Sequence, residues 1–115
     1  MRSKKSTGRR SRKKRTLKEA RGYWGRKSKI YREAKQQLLQ SGFYATRDRR
    51  KRKGDFRGLW ITRITAAARQ AGLSYHGFMA SLKRAGIGLN RKSISEIAAR
   101  DPGGFGELVK AAQAA

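Results

Sequence analysis

The sequence contains no cysteine and a single histidine, His76, among its 115 residues. The lack of cysteine excludes disulfide bonds, thiolate zinc sites and cysteine nucleophiles. No two acidic residues are placed as a general acid and base, and no glycine-rich phosphate loop of the Walker or dinucleotide type occurs. We therefore expect no catalytic residue, no bound metal, no cofactor and no small-molecule substrate, and predict that the chain is not an enzyme.

Long apolar segments are also absent. No run approaches the roughly 20 residues of a membrane span, and the basic N-terminus lacks the apolar segment of a secretory signal. An Arg-rich start resembles an organellar transit peptide, but the high density of Lys and Arg continues through residue 57, well beyond a removable leader. The sequence thus predicts a cytoplasmic protein with no membrane partner.

Negative charge is scarce. The chain has 31 Lys and Arg against 7 Asp and Glu, which gives a formal net charge of +24. This surplus opposes compaction through self-repulsion, so the chain is expected to bind a polyanion, with nucleic acid as the first candidate. An anionic membrane is the second candidate, but it would require a broad apolar helix face, which residues 30–39 lack.

The charge is distributed unevenly along the chain. Residues 1–58 contain 23 Lys and Arg and 4 Asp and Glu, whereas residues 59–115 contain 8 and 3. Apolar residues are distributed in the opposite way, so only the second segment has the composition of a core. We predict a basic extension over residues 1–58 and a small globular domain over residues 59–115.

Apolar positions in the second segment follow a helical period, and residues typical of helix caps separate them. The predicted caps are Gly72, Ser74, Gly86, Asn90 and Asp101-Pro102. The periodic positions are Trp60, Ile64, Ala67, Ala68 and Ala71, then Phe78, Met79, Leu82 and Ala85, then Ile94, Ile97 and Ala98, then Phe105, Leu108, Val109 and Ala112. The fold class predicted is all-α, with a compact four-helix C-terminal domain.

The basic extension also has a helical pattern. A narrow apolar stripe at Ile30, Tyr31, Ala34 and Leu38 predicts a helix from about residue 27 that continues into the helix of Trp60. Glycine costs about 1 kcal/mol relative to alanine inside a helix, so we expect a kinked helix, interrupted at Ser41-Gly42 or at Gly54 and Gly58. Residues 1–15 show no apolar periodicity and are expected to be disordered in the free protein.

Arginine and lysine are interleaved with planar side chains along much of the chain. Aromatic rings can stack on exposed bases, and Arg pairs with phosphates, so the combination suits folded RNA. The planar residues are Tyr23, Trp24, Tyr31, Phe43, Tyr44, Phe56, Trp60 and Tyr75. Phe56 and Trp60, four residues apart, are expected to anchor the helix to the core, whereas Tyr23-Trp24, between two glycines, is the best candidate for contact with RNA.

Three stretches resemble a known family. They are "RGYWGRKSKIYREA", "YATRDRRKRKGDFRGLWITRITAAARQAGLSYHGFMASLKRAGI" and "LNRKSISEIAARDP". Together they are similar to the bacterial and organellar large-subunit ribosomal protein L twenty family over about residues 13–112. The resemblance implies a basic helical extension in ribosomal RNA, a small helical domain on the subunit surface and a role in early assembly. It also implies neighbouring large-subunit proteins as partners and, in some bacteria, repression through the leader of the protein's own messenger RNA.

The resemblance implies RNA contacts at individual positions. On the basic helix these are Arg47, Arg49, Arg50, Arg52, Lys53 and Arg57, and on the N-terminal arm Lys13, Lys14 and Lys18. At the turn and helix start they are Arg21, Tyr23, Arg26 and Arg32, and in the globular part Arg63, Arg69, Tyr75, Lys83, Arg91 and Lys92. The surrounding charge and aromatic pattern adds Arg9, Arg10, Arg12, Arg15, Trp24, Lys27, Lys29 and Lys51.

The sequence departs from the family pattern at two places. The start "MRSKKSTGRRSR" matches poorly, and Gly54 stands where a basic residue is usual. The alternative to an RNA-binding ribosomal protein is a cationic nucleoid-type protein that compacts DNA. Such a protein would need only exchangeable basic surfaces, and would not need a long helix joined to a small core through Trp60.

Overall fold

The computed structural model describes residues 7–114, and all regular structure within them is helical. The elements are α1 (Gly8–Glu19), a short 3-10 helix (Gly25–Ser28), α2 (Tyr31–Gln70), α3 (Tyr75–Arg84), α4 (Arg91–Arg100) and α5 (Pro102–Gln113). The predicted all-α class is therefore confirmed. Contacts divide the chain into two compact units, an N-terminal unit ending at Arg50 and a C-terminal unit beginning at Lys51.

Helix α1 corrects one expectation. Residues 8–15, which were expected to be disordered, lie in the helix Gly8–Glu19 although it buries no side chain. Apolar periodicity detects helices that pack on a core, whereas Lys and Arg favour helix intrinsically and need no core. The Thr16 hydroxyl also donates to the carbonyl of Arg12 at 3.1 Å. The remainder of that expectation, for residues 1–6, lies outside the described residues.

Helix α2 runs unbroken from Tyr31 to Gln70. The expected interruptions at Gly42, Gly54 and Gly58 are not observed, since α-helical structure continues through all three. Each glycine costs about 1 kcal/mol, which is less than the effect of a proline, and most of the neighbouring residues favour helix. The helix also begins later than predicted, because the 3-10 helix Gly25–Ser28 precedes it and the Ser28 hydroxyl donates to the Gly25 carbonyl at 2.9 Å.

The middle of α2 has almost no tertiary support. All side chains of residues 42–59 are exposed, so this stretch depends mainly on intrinsic helix propensity and on contacts between neighbouring side chains of the same helix. We expect Gly54→Ala to increase the helicity of the free protein, because the change is worth about 1 kcal/mol and nothing lies within 4 Å of a Cβ at this position. Amide exchange across residues 47–60, measured by mass spectrometry, should slow by up to about 5-fold.

Gly86→Ala is the control for this experiment. Gly86 has φ 69°, which is unfavourable for alanine, so that variant should lose stability instead of gaining helix. Unchanged exchange around residue 54 in Gly54→Ala would contradict the conclusion that propensity limits this part of α2.

The C-terminal unit confirms each predicted cap. The Ser74 hydroxyl accepts from the Gly77 amide at 3.1 Å, and the Asn90 Oδ1 accepts from the Ser93 amide at 2.8 Å. Gly72 and Gly86, which follow α2 and α3, have φ 76° and 69°. Asp101 Oδ1 accepts from the Gly104 amide at 2.9 Å, and a Cβ at Gly104 would collide with that carboxylate. This glycine therefore allows the cap that begins α5.

The core of the C-terminal unit is built from the C-terminal end of α2 and the three helices that follow it. Its buried members are Ile64, Ala68, Phe78, Leu82, Ile94, Phe105, Val109 and Ala112. The rings of Phe78 and Phe105 lie 5.1 Å apart between centroids. All eight belong to the positions predicted from periodicity. The sequence expectation that Phe56 and Trp60 anchor the helix to the core is wrong, however. Phe56 is 49% exposed and Trp60 is partly buried, and neither takes part in this core.

Candidate nucleic-acid interface

Helix α1 presents a dense set of exposed cations. Those predicted to contact RNA are Arg9, Arg10, Arg12, Lys13, Lys14, Arg15 and Lys18, and each of them is exposed. Lys13 also places its Nζ 5.8 Å from the centroid of the Tyr31 ring, which ties α1 to the start of α2 by a cation–π contact. The helix therefore arranges these charges on a regular surface, which the expected disordered tail would not do.

The segment between α1 and α2 separates the two aromatics that were considered together in the sequence. Gly22 and Gly25 have φ 87° and 57°, so glycine allows the backbone to turn on both sides of the pair. Trp24 is 91% exposed, whereas Tyr23 is partly buried and its hydroxyl donates to the Ser41 hydroxyl at 3.2 Å. Trp24 is thus free to stack on a base, while Tyr23 holds the turn against α2.

The cations that flank this turn are also exposed. They are Arg21, Arg26, Lys27, Lys29 and Arg32. Arg26 lies 3.6 Å from a Glu33 carboxylate oxygen in an ion pair whose side chains are 76% and 39% exposed, so it contributes little to stability. Periodicity gave no signal for the Tyr23 and Ser41 contact, because the two residues lie 18 positions apart.

The cationic segment of α2, residues 47–57, has its predicted RNA-contacting side chains on the exposed part of the helix. Two of them have local partners: Arg47 Nε donates to Asp48 Oδ1 at 3.0 Å, and Arg49 donates to the Thr46 hydroxyl at 3.2 Å. The others are Arg50, Lys51, Arg52, Lys53 and Arg57, and none of these has a side-chain hydrogen bond or ion pair within residues 7–114. Their hydrogen-bonding capacity is available to a ligand.

Tyr44 strengthens the beginning of this segment. The Arg47 guanidinium lies 4.7 Å from the centroid of the Tyr44 ring, within the range of a cation–π contact, and Gln40 donates to the Tyr44 hydroxyl at 2.9 Å. From the sequence, Tyr44 was only one of several planar residues interleaved with cations. The structure brings it together with one of the predicted cations.

In the C-terminal unit, the predicted contacts fall into two groups. Arg63, Arg69, Lys83 and Lys92 are exposed. Tyr75 and Arg91 are partly buried, and Arg91 Nε donates to the Tyr75 hydroxyl at 2.9 Å, which links the first turn of α3 to the first turn of α4. These two side chains therefore have a role within the protein in addition to the one predicted for them.

The described part of the chain gives little support for metal binding or for insertion into a membrane. Residues 7–114 contain no group of three or more His, Cys, Asp or Glu side chains that could hold a metal ion. None of the helices between these residues combines the length and the hydropathy needed to cross a lipid bilayer. What the surface offers is exposed cations on helices and an exposed indole, Trp24, in the turn between α1 and α2, which suits an extended polyanion.

The chain is similar to known proteins over most of its length. The family model of "Ribosomal protein L20" matches residues 2–108. A "Large ribosomal subunit protein bL20" of Staphylococcus carnosus strain TM300 is 58% identical over 106 residues, which cover 92% of this chain and 90% of the relative. Proteins of the same name from Staphylococcus saprophyticus and Staphylococcus aureus strain Newman are 58% and 57% identical over 104 residues, or 90% of this chain and 88% of each relative. The resemblance inferred from the motifs is thereby confirmed, as is the expectation that the chain is not an enzyme, and the chain belongs to the ribosomal protein L20 family.

Proposed function

We propose that this chain is a structural protein of the large ribosomal subunit that binds large-subunit ribosomal RNA directly. The observation that carries the proposal is the cationic segment of α2, whose side chains are exposed and whose Arg50, Lys51, Arg52, Lys53 and Arg57 have no partner among the described residues. Each phosphate that such a side chain neutralises releases counterions, which makes binding strong and dependent on salt.

The proposal divides the chain by role. Residues 1–58 act as the basic RNA-binding extension, and residues 59–115 act as the small helical domain. The exposed helix of residues 42–59 receives little stabilisation from contacts with the rest of the protein, and its positive charges repel one another. RNA phosphates around the helix would replace this repulsion by attraction between the side chains and the RNA. Helix stability and RNA binding are then coupled, and one such helix can hold several RNA helices together during early assembly.

A second RNA activity belongs to the C-terminal unit. We propose that it also binds the leader of its own messenger RNA and represses translation, as the family resemblance implies. In support, Arg63, Arg69, Lys83 and Lys92 of this unit all have exposed side chains. Neighbouring large-subunit proteins are proposed as further partners within the assembled subunit.

Hydroxyl-radical footprinting on protein-free large-subunit ribosomal RNA tests direct binding. We expect a small number of discrete protected stretches that persist in the presence of excess duplex DNA. Equal competition by DNA, with no discrete protection, would favour the nucleoid-type alternative and contradict the proposal.

Reconstitution of the large subunit tests the role in assembly. Large-subunit particles should form when this protein is added first to the ribosomal RNA, and should fail to form when it is omitted.

A further inference from the structure

A cleft on the C-terminal unit lies between α2 and α4 and has a volume of about 320 Å³. It is lined by Phe56, Leu59, Trp60, Arg63, Lys92 and Glu96. This volume lies at the lower end of the range for small-ligand sites in proteins. The cleft thus combines two aromatic rings, an aliphatic side chain and charged groups within one concave surface.

The aromatic side chains of the cleft are not required by the core. Phe56 and Leu59 are 49% and 43% exposed, and the buried core on α2 begins only at Ile64. Trp60 is partly buried but is not among the side chains that pack against the core. Four-residue spacing places Phe56 and Trp60 on the same face of α2 as Ile64, but neither ring joins the buried core. Large rings exposed in this way are available for contact with a partner.

The charges of the cleft indicate how a partner would be oriented. Arg63 and Lys92 have no side-chain hydrogen bond or ion pair with any described residue, so both can bind phosphate. Glu96, also in the cleft lining, would repel a phosphate but can accept hydrogen bonds from the N–H groups of a base. This combination suits a base inside the cleft with phosphates outside it.

We propose that this cleft receives one unstacked nucleobase of the bound RNA. The base stacks against Trp60 and Phe56, its N–H edge faces Glu96, and the flanking phosphates meet Arg63 and Lys92. The proposal rests on the RNA binding proposed above and adds a base-specific subsite to it. An apolar side chain of a neighbouring protein is the other candidate occupant, but it would leave both cations unpaired.

Tryptophan fluorescence tests the occupant directly, because the chain contains only Trp24 and Trp60. In the Trp24→Phe variant, Trp60 is the sole tryptophan, and the full chain is titrated to saturation with large-subunit ribosomal RNA. We expect the emission of Trp60 to be quenched as the base stacks on it. Unchanged emission at saturated binding would overturn the subsite but leave the proposed function intact. Failure of the unsubstituted chain to bind the RNA would contradict both.

Affinity measurements provide a second readout that does not depend on the fluorophore. Phe56→Ala should weaken binding by about 5- to 160-fold, the effect expected for losing one stacked base, without changing the slope of log affinity against log salt. Leu89→Ala is the matched control, since Leu89 is 42% exposed on the same unit but outside the cleft. Equal affinities for the two variants would overturn the subsite. If the emission of Trp60 changes only after other large-subunit proteins are added, the occupant of the cleft is a protein side chain and the nucleobase subsite is overturned.

Discussion

Replacing Arg50, Arg52 and Lys53 with glutamine should reduce the salt dependence of RNA binding. All three side chains are exposed, and none has a partner among the described residues, so each is expected to meet a phosphate. Each lost phosphate contact removes about 0.7 to 0.9 from the slope of log affinity against log salt, so the triple variant should lose roughly 2 to 3. At low salt its affinity should fall by at least about 100-fold, measured by filter binding across a salt series.

The control for this prediction is a triple variant with the same loss of charge. Lys35, Arg100 and Lys110 are also exposed helical residues without side-chain partners in the described part of the chain, but they were not predicted to contact RNA. Their replacement by glutamine should change the slope by less than about 1. If both triple variants behave alike, binding depends only on net charge, and the special role of the cationic segment of α2 is wrong.

Truncating the core should have the largest effect on stability. Phe78 is completely buried and contacts Phe105, so Phe78→Ala leaves a cavity and is expected to cost about 3–5 kcal/mol. The C-terminal unit is small, and the whole stability of such units is of similar size. We expect the cooperative thermal transition to be lost or to fall well below that of the parent protein. Amide protection from Ile64 to Ala68 should disappear with it.

Phe43→Ala is the control for the core variant. Phe43 is 67% exposed on α2, so the same truncation should change stability by less than about 0.5 kcal/mol. Circular dichroism and hydrogen exchange measured on both variants in the absence of RNA distinguish the outcomes. A normal transition in Phe78→Ala would show that the cluster around Phe78 does not hold the C-terminal unit together.

Local sequence signals were sufficient for the helices of the C-terminal unit. Ser74, Asn90 and Asp101 were recognisable as caps because capping requires only a side-chain oxygen and an amide three residues later. Gly72 and Gly86 were recognisable for a similar reason, since a helix end in the left-handed region favours glycine. The same local reasoning was wrong for α1, because it treated apolar periodicity as a requirement for helix rather than for packing.

By itself, the sequence determined the all-α class, the positions of the caps, the asymmetry of charge and the family, since all of these follow from residue types and short spacings. Only the tertiary structure decided which aromatic side chains are buried. Phe56, Trp60 and Ile64 share one face of α2, yet of these three only Ile64 is in the core, and Phe56 is 49% exposed. Tyr23 and Trp24 were equivalent in sequence, but Tyr23 donates a hydrogen bond to the hydroxyl of Ser41, 18 residues away, whereas Trp24 is exposed. Periodicity identifies the face of a helix, whereas the length of that face that becomes buried depends on residues distant in sequence.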